Sequence, residues 1–313
     1  MSELPRVTVV GSLHTDLIAS AGVLPTLGTS VLGDRFTISP GGKAANQAAQ
    51  LARLGVRTWL VSAVGHDAFG EQISSRLRGA GADLTYLERR EDQATGASTI
   101  IAVGGEYASV IVPGASAALS DLTLRRALPA IARSSFVVTQ LELGVRLTES
   151  ALHLAREQQA TTVLNVSPIG RHEPTGLRRT LSLADVIVVN CYEAGQLAGI
   201  TVSDRDGAVL AARILGESEG ATAVVVTCGA DGAVLIRGEE VTAHDSFPII
   251  VADSVGAGDA FLGGLLAGWC EGGDDYAALR LGSAVGALCA SGYGAFDSLP
   301  DRAQVREFLG PTG

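Results

Sequence analysis

Short runs of β-branched residues alternate with longer amphipathic stretches along this chain, and that alternation constrains the fold more than any other feature. Strands are predicted at Val7–Val10, Thr58–Val61, Phe136–Thr139, Thr162–Asn165, Val186–Val189 and Ala223–Thr227. Helices are predicted at Ala44–Leu54, Leu147–Gln158, Asp206–Leu215 and Tyr276–Ala290. Because the strands are apolar on both faces, they need cover from both sides. The pattern therefore predicts an α/β fold with a parallel sheet between helical layers.

Two segments interrupt this alternation with strands of period-two character. They are Val31–Ile38 and Ser98–Val112, the second turned back as a hairpin at Gly104 and Gly105. We expect them to form a small antiparallel flap that stands off the main sheet. No linker rich in Pro, Gly or Ser divides the chain. The sequence predicts one domain over residues 1–313, with lid strands within about residues 14–40 and 97–112.

The charge and the apolar runs of the chain argue against several classes of function. A net charge of -10 disfavours binding to nucleic acid or to an anionic membrane, because neither polyanion attracts a negative surface. The longest apolar run, Ala260–Cys270, is too short to span a bilayer, and the N-terminus lacks the apolar core of a signal peptide. We expect a soluble, cytoplasmic protein with no nucleic-acid or membrane partner.

The cysteines are consistent with the same compartment. Cys191, Cys228, Cys270 and Cys289 include no CxxC pair, and no histidine lies at zinc-site spacing from them. Free cysteine is among the residue types most often buried in proteins. We interpret all four as small buried thiols in a reduced cytoplasm.

The strongest local motif runs from Asp253 to Asp259 and reads DSVGAGD, directly before an apolar helical stretch. A glycine turn that opens a helix presents unpaired N–H groups and the positive end of the helix dipole, which together bind phosphate. An aspartate at that end can accept a proton from a hydroxyl nucleophile while the amides stabilise the transferring phosphoryl group. The alternative is an ordinary helix start, in which Asp259 only complements the dipole.

A second glycine turn, Gly41-Gly42, leads into another predicted helix. Lys43 and Asn46 are three residues apart, so they lie on one face of that helix and can both donate hydrogen bonds into a cleft. Standing alone, such a pair is more typical of a solvated first turn. Whether the pair binds a ligand depends on which residues lie near it in the fold.

Polar residues also follow three of the predicted strands. His14 and Asp16 come after the first strand, Glu142 after Phe136–Thr139, and Asn190 and Glu193 after the run that ends at Val189. Parallel α/β sheets bind ligands beyond the carboxyl ends of their strands. Carboxylate and amide groups there suit a polyol or a Mg²⁺–nucleotide. Each position alone indicates little, but their common placement predicts one ligand cleft.

Taken together, these segments resemble the ribokinase branch of the phosphofructokinase-B (PfkB) sugar kinase family. The similar segments follow the family's order nearly end to end and read GSLHTD, GGKAANQA, TGAS, PGASAALS, QLE, NCYE, VVTCGADGA, DSVGAGDAFLGG and GAFDSLP. The resemblance implies a ribokinase-like three-layer α/β/α domain with a small β-sheet lid over the sugar. It also implies a homodimer in which the lids of two subunits clasp each other.

The resemblance assigns a role to each matching position. For catalysis it implies Asp259 as base, with an anion hole from the amides of Gly256, Ala257 and Gly258. For the sugar hydroxyls it implies His14, Asp16, Gly42, Lys43, Asn46 and Glu142. For ATP it implies Asn190, Thr227 and Gly229, with Glu193 organising Mg²⁺. For an activating potassium ion it implies Asp253, Val255, Cys289, Gly292, Gly294 and Ser298.

Three positions depart from the family pattern. His14 stands where ribokinases usually carry asparagine, so one direct sugar contact is altered. Histidine is bulkier and titrates near neutral pH, although it can still donate a hydrogen bond. Ala44 replaces a common glycine and Val189 a common proline, and neither change should abolish catalysis.

The implied function is ATP-dependent phosphorylation of the terminal hydroxyl of a pentose, D-ribose to D-ribose 5-phosphate. The first alternative is a nucleoside kinase or a kinase of another pentose such as deoxyribose, which His14 favours. The second is a non-catalytic sugar-binding protein, which has no need of the base Asp259. A NAD-dependent dehydrogenase is the third, and it is disfavoured because GSLHTD lacks the GxGxxG fingerprint.

Overall fold

The structure is a computed structural model that describes residues 5–103, 106–170 and 174–310. Its strands, in chain order, are β1 (Arg6–Val10), β2 (His14–Ala21), β3 (Gly33–Gly41), β4 (Arg57–Gly65), β5 (Leu87–Arg90), β6 (Thr95–Val103), β7 (Glu106–Gly114), β8 (Phe136–Gln140), β9 (Thr161–Asn165), β10 (Val186–Asn190), β11 (Ala223–Thr227), β12 (Ala233–Arg237) and β13 (Glu240–His244).

The α-helices lie between and after these strands. They are α1 (Lys43–Arg53), α2 (Ala68–Gly79), α3 (Asp121–Arg126), α4 (Leu128–Ile131), α5 (Val145–Glu157), α6 (Pro174–Leu181), α7 (Cys191–Ala198), α8 (Arg205–Glu219), α9 (Ala257–Cys270), α10 (Asp275–Ala290) and α11 (Arg302–Leu309). None of the helices in the described ranges combines the length and the apolar character needed to cross a lipid bilayer.

The larger sheet has nine strands in the order β13-β12-β11-β10-β9-β8-β1-β4-β5. From β11 to β5 every neighbouring pair is parallel, as the sequence predicts. At the other edge the sheet continues with β12 and β13, which the sequence does not predict, and they pair antiparallel. The connections there are short, and a parallel return needs a crossover of about a dozen residues or more.

Helices cover both faces of this sheet because its strands are apolar on both faces. In β10, Val186 and Val188 face one core, together with residues of α1, α9 and α10. The alternate residues Ile187 and Val189 face a second core, together with residues of α6, α7 and α8. The period-two alternation of side chains thus sends neighbouring residues into opposite layers.

The smaller sheet has four strands in the order β3-β2-β6-β7. The pairs β2/β3 and β6/β7 are antiparallel, as predicted for the flap. The central pair β2/β6 is parallel, so a wholly antiparallel flap is wrong. The reason is topological: the chain passes through β4 and β5 of the larger sheet before it returns as β6. The predicted hinge at Gly104 and Gly105 lies outside the described residues.

Candidate active site

The first turn of α9 carries the predicted catalytic aspartate. Gly256 is the residue before the helix and has φ 84°, a left-handed conformation that favours glycine. A Cβ at this position would lie 2.7 Å from the Cβ of Ala295, so the turn also lacks room for a side chain. The Ala257 amide donates a long hydrogen bond of 3.2 Å to the Ser254 carbonyl within this turn. Asp259 follows it and is buried, with 6% of its surface exposed.

Two amide side chains of α1 hold the Asp259 carboxylate. Asn46 donates from Nδ2 to Oδ2 at 3.0 Å, and Gln47 donates from Nε2 to Oδ1 at 2.8 Å. Both residues are buried. The sequence motif predicts Asn46 at the site, whereas Gln47, its neighbour in the chain, is an addition from the structure.

The electrostatic environment of Asp259 divides into opposing effects. Burial is the largest, and it raises the pKa of Asp259 above its ordinary value. The charge of Lys43 and the hydrogen bonds from Asn46 and Gln47 favour the anion and oppose this rise. The charge of Glu142 adds to the rise. The result is a carboxylate whose proton affinity exceeds that of an exposed aspartate, which suits a general base.

The start of α1 is tied to the loop after β8. Gly42 precedes the helix with φ 94°, and a Cβ there would lie 2.5 Å from the Ser12 carbonyl oxygen. The backbone N–H of Lys43 donates to Oε2 of Glu142 at 3.0 Å, and the Ser12 hydroxyl donates to the same oxygen. Glu142 therefore joins the loop after β1, the loop after β8 and the first turn of α1.

His14 and Asp16 form a buried pair on β2. His14 Nε2 lies 3.1 Å from Asp16 Oδ1, and the two residues are 5% and 7% exposed. Burial alone lowers the pKa of His14, but the hydrogen bond to Asp16 and the charges of Asp16 and Glu142 outweigh it. The pKa of His14 is therefore raised above its usual value, although the charge of Lys43 opposes this.

The structure thus brings together the residues that the sequence assigns to the sugar. Lys43 and Glu142 act electrostatically on both His14 and Asp259, which links the two ends of the cluster. Asn46 Oδ1 is buried and accepts no hydrogen bond from any residue that the structure describes. A buried amide oxygen without a donor costs about 1–3 kcal/mol, so a ligand hydroxyl at this point would be stabilised.

The six residues predicted to surround a monovalent cation also meet in space. Asp253 accepts at Oδ1 from the Val255 amide and at Oδ2 from the Gly294 amide, both at 3.0 Å. The Ser298 hydroxyl donates to the Gly294 carbonyl and lies 3.3 Å from Cys289 Sγ. Gly292 packs against Ser298 and donates from its backbone to the Cys289 carbonyl. This loop adjoins Gly256 through Ala295.

The residues predicted for the nucleotide lie at the ends of β10 and β11. Asn190 and Thr227 pair in register across these strands, and Gly229 follows in the next turn. Asn190 and Glu193 form a capping box on α7, in which each side chain accepts from the other's backbone N–H at 2.8 and 2.9 Å. Both side chains therefore already have a local role in starting the helix.

The interpretation of all four cysteines as thiols is wrong for two of them. Cys191 and Cys228 form a disulfide with their Cα atoms 5.3 Å apart. Each follows the last residue of a strand, and those last residues pair in register. This common offset indicates the bond only once the two strands are known to be neighbours. Cys270 and Cys289 are free, and burial raises the pKa of each thiol to about 11.

Within the described ranges, no three or more His, Cys, Asp or Glu side chains lie close enough together to hold a metal ion. The arrangement instead offers one buried carboxylate beside a glycine turn, with donors and acceptors for a polyol around it. Chemically, such a site can remove a proton from an alcohol and hold an anionic group next to it.

The fold and this site define the class of the protein as a phosphotransferase with an alcohol group as acceptor. The family described as "pfkB family carbohydrate kinase" matches residues 4–302. The chain belongs to this family of carbohydrate kinases.

Known relatives and solved structures agree with that assignment. The chain is 32% identical to a ribokinase of Haemophilus influenzae over 303 residues. The aligned residues make up 96% of this chain and 97% of the relative. It is 36% identical over 267 residues to a ribokinase of Mus musculus, with coverage of 84% and 81%. The structure of Arabidopsis thaliana ribokinase complexed with ribose and ATP superposes with a TM-score of 0.88, at 26% identity, over 97% of this chain and 98% of that one. The predicted ribokinase-like α/β fold with a small lid sheet is confirmed.

Proposed function

We propose that this protein transfers the terminal phosphoryl group of ATP to the terminal hydroxyl of D-ribose, giving D-ribose 5-phosphate. The observation that carries the proposal is the buried Asp259 carboxylate at the first turn of α9, between a glycine turn and the donors of α1. The relatives named ribokinase support ribose as the sugar.

In the proposed reaction, each end of the site has its own task. His14, Asp16, Gly42, Lys43, Asn46 and Glu142 hold the sugar hydroxyls. Asp259 accepts the proton of the attacking hydroxyl, and the amides of Gly256, Ala257 and Gly258 hold the transferring phosphoryl group. The Ala257 N–H, which donates to the Ser254 carbonyl, must then share this hydrogen bond with the phosphoryl group or exchange one acceptor for the other. The lid excludes water, which is a competing phosphoryl acceptor.

The nucleotide is proposed to lie at the ends of β10 and β11, against Asn190, Thr227 and Gly229. A Mg²⁺ ion bound with ATP would supply positive charge to the phosphates. Magnesium keeps several waters and takes one or two carboxylates plus the phosphates of its nucleotide. Glu193 fits the part of a single organising carboxylate, and such a site needs no cluster of three acidic side chains.

We also propose a potassium ion in the loop that contains Asp253 and Gly294. Its donors are a carboxylate and backbone carbonyls, from the residues Val255, Cys289, Gly292, Gly294 and Ser298, and hard oxygens suit an alkali cation. These residues would hold the ion, and its charge would stabilise the loop beside Gly256. Rates compared in potassium, sodium and a bulky organic cation at matched ionic strength test this. Equal rates in all three contradict it.

The alternative acceptor is deoxyribose or a nucleoside. Deoxyribokinase of Salmonella typhi is 28% identical to the chain over 304 residues, 97% of this chain and 98% of the relative. His14 favours this alternative, because its imidazole replaces a smaller amide at a sugar contact. Ribose is preferred because the other five proposed sugar-binding residues are present and meet at the site.

The chain is proposed to act as one kinase domain that dimerises through the lid. Several apolar side chains of the lid segment are exposed, among them Leu32 at 98%, Val110 at 68% and Phe36 at 63%. Exposed apolar patches of this kind mark interaction surfaces.

We place the enzyme in the cytoplasm, where ATP is available, with no nucleic-acid or membrane partner. The Cys191–Cys228 disulfide argues against that compartment, since cytosolic disulfides are uncommon.

The direct test of the proposed function is Asp259→Asn. This change keeps the shape of the side chain and removes its basicity, so kcat should fall by roughly 10²–10⁴-fold. Ribose binding, measured by calorimetry, should stay close to that of the wild type. Turnover near the wild-type rate would show that Asp259 is not the base.

A further inference from the structure

The Asp259 carboxylate has two oxygens in different surroundings. Oδ2 accepts from Asn46, whose own amide oxygen is buried without a donor among the described residues and is proposed to meet the sugar. Oδ1 accepts from Gln47, which is completely buried and bonded to other side chains of the protein interior. One oxygen is therefore attached to the ligand side of the site and the other to the protein interior.

Gln47 is itself held in one orientation. Gln140, the last residue of β8, donates from Nε2 to Gln47 Oε1 at 2.5 Å. Gln47 Nε2 also lies 3.2 Å from Asn165 Oδ1 at the end of β9. Since Gln47 Oε1 accepts from Gln140, its NH₂ group must face Asp259 and Asn165. An ionised carboxylate can only accept, so this orientation matches the anionic base.

The three side chains come from three different elements. Gln140 belongs to β8, Gln47 to α1 and Asp259 to α9, and the three form a line of amide hydrogen bonds that ends on the carboxylate. Hydrogen bonds linked in this way inside a protein polarise and strengthen one another. A neutral amide stabilises the anion without a positive charge that would abolish its basicity.

We propose that Gln47 is a positioning residue for the proposed base, which anchors Oδ1 of Asp259 so that Oδ2 faces the sugar and takes the proton of its hydroxyl. In that step the hydroxyl O–H bond breaks and the proton moves to Oδ2. The hydroxyl oxygen forms its bond to the terminal phosphorus of ATP while the bond from that phosphorus to the bridging oxygen breaks, and ADP leaves with that oxygen. Gln140 keeps Gln47 in the required orientation. This proposal rests on the proposed function, because it assumes that Asp259 is the base.

Three titratable groups act on Asp259, and a substitution at Gln47 replaces none of them. They are Lys43 and Glu142 on the sugar side, and the Cys289 thiol behind the glycine turn. The hydrogen bond from Gln47 lowers the pKa of Asp259 against the effect of burial. Removing that donor should raise the pKa of the base. On acidification, the variant should therefore lose its activity at a higher pH than the wild type does.

The test compares Gln47→Met with Gln50→Met across the pH range. Methionine keeps the unbranched shape but donates no hydrogen bond. Gln50 lies one turn further along α1, is equally buried, and donates to the Pro300 carbonyl rather than to Asp259. We expect Gln47→Met to move the acidic limb of kcat upward by about one to two pH units, with kcat recovering at alkaline pH and the ribose KM changed less than about threefold.

In Gln50→Met the acidic limb should stay in place, even if the protein is less stable. Gln140→Met offers a second route if Gln47→Met does not fold, and it should shift the limb in the same direction by a smaller amount. An unshifted limb in a folded Gln47→Met or Gln140→Met protein overturns the proposal, as does a loss of kcat that is equal at every pH. Asp259→Asn separates the failure of this proposal from the failure of the proposed function. If Asp259→Asn abolishes turnover while the acidic limb of Gln47→Met is unshifted, Asp259 remains the proposed base and only the positioning role of Gln47 is overturned.

Discussion

The proposed sugar end and the proposed nucleotide end of the site, called the sugar end and the nucleotide end below, are built in different ways. At the sugar end, His14, Asp16 and Asp259 are almost completely buried. His14 and Asp16 pair with each other, and Asp259 accepts hydrogen bonds from α1. At the nucleotide end, Asn190 and Gly229 are exposed, and Tyr192 beside them is 73% exposed. The first end is a set of side chains held by three elements, whereas the second is a row of strand ends and turns.

Burial of the sugar end favours selectivity there. A buried polar site in which each group has a partner discriminates strongly, because a wrong ligand leaves buried groups unpaired. An open row of backbone and strand-end groups recognises phosphates, which every nucleoside triphosphate shares. We therefore expect sugar selectivity and catalysis to depend on the buried end, and nucleotide affinity to tolerate change at the open end.

The largest effect on this comparison is expected from Lys43→Ala and Asn46→Ala. Each should leave a buried polar group of the proposed sugar complex unpaired, which costs about 1.5–3 kcal/mol, so the ribose KM should rise roughly 10–150-fold. Steady-state kinetics should show an ATP KM close to the wild-type value. If either variant changes only the ATP KM, the sugar has been placed at the wrong end.

Lys43 also provides an independent check, because it is the only lysine in the chain. An amine-reactive reagent will therefore modify one side chain besides the N-terminus, and its position follows from peptide mass analysis. Ribose should protect Lys43 from the reagent better than ATP alone. Lys43→Arg is the matched control, since it keeps the charge but replaces the compact ammonium with a wider guanidinium.

A smaller effect is expected from His14→Asn, which introduces the asparagine that the resemblance to ribokinases implies at this position. The variant should keep or improve kcat/KM for ribose, by up to about tenfold for one hydrogen bond. In the wild type, the paired imidazolium persists above the usual histidine pKa, because that pKa is raised. The ribose KM should therefore increase as pH rises through the raised value, when one N–H donor is lost. His14→Asn should flatten that dependence. Identical pH profiles would remove His14 from the sugar site.

The smallest effect is expected at the open end, from the double variant Cys191→Ser/Cys228→Ser. The disulfide joins the residues directly after Asn190 and Thr227, but the strand pairing already holds those two in register. The ATP KM should therefore change by only about twofold to threefold, less than one hydrogen bond provides. The ribose KM should not change. An equal effect on both KM values would show that the two ends are not independent.

The sequence predicts the parts of the fold that depend on local pattern. Apolar runs identify six strands of the larger sheet, because a short β-branched run with no polar face is typical of a strand buried on both sides. It does not predict the antiparallel β12 and β13, nor the parallel pairing of β2 with β6. Those depend on how distant strands meet, and a period-two pattern is the same for both directions of pairing.

The sequence predicts much of the site for a similar reason. Glycine turns such as Gly42 and Gly256 are visible because their conformation and their close contacts admit little else. Gln47 is not predicted, since its partner Asp259 lies 212 positions away and nothing in its own surroundings identifies it. The Cys191–Cys228 bond is missed because spacing along the chain does not show that two strand ends are neighbours.

The central claim, that a buried sugar end selects a pentose, is tested most directly by one set of kcat/KM values. The acceptors to compare are ribose, deoxyribose, fructose, ribulose and common nucleosides, at saturating ATP with Mg²⁺. We predict the highest value for ribose, with nucleosides at least about tenfold lower, because a ligand of another shape leaves buried polar groups unpaired. A preference for a nucleoside of more than about tenfold would contradict the ribose assignment, and it would do so without affecting the fold or Asp259.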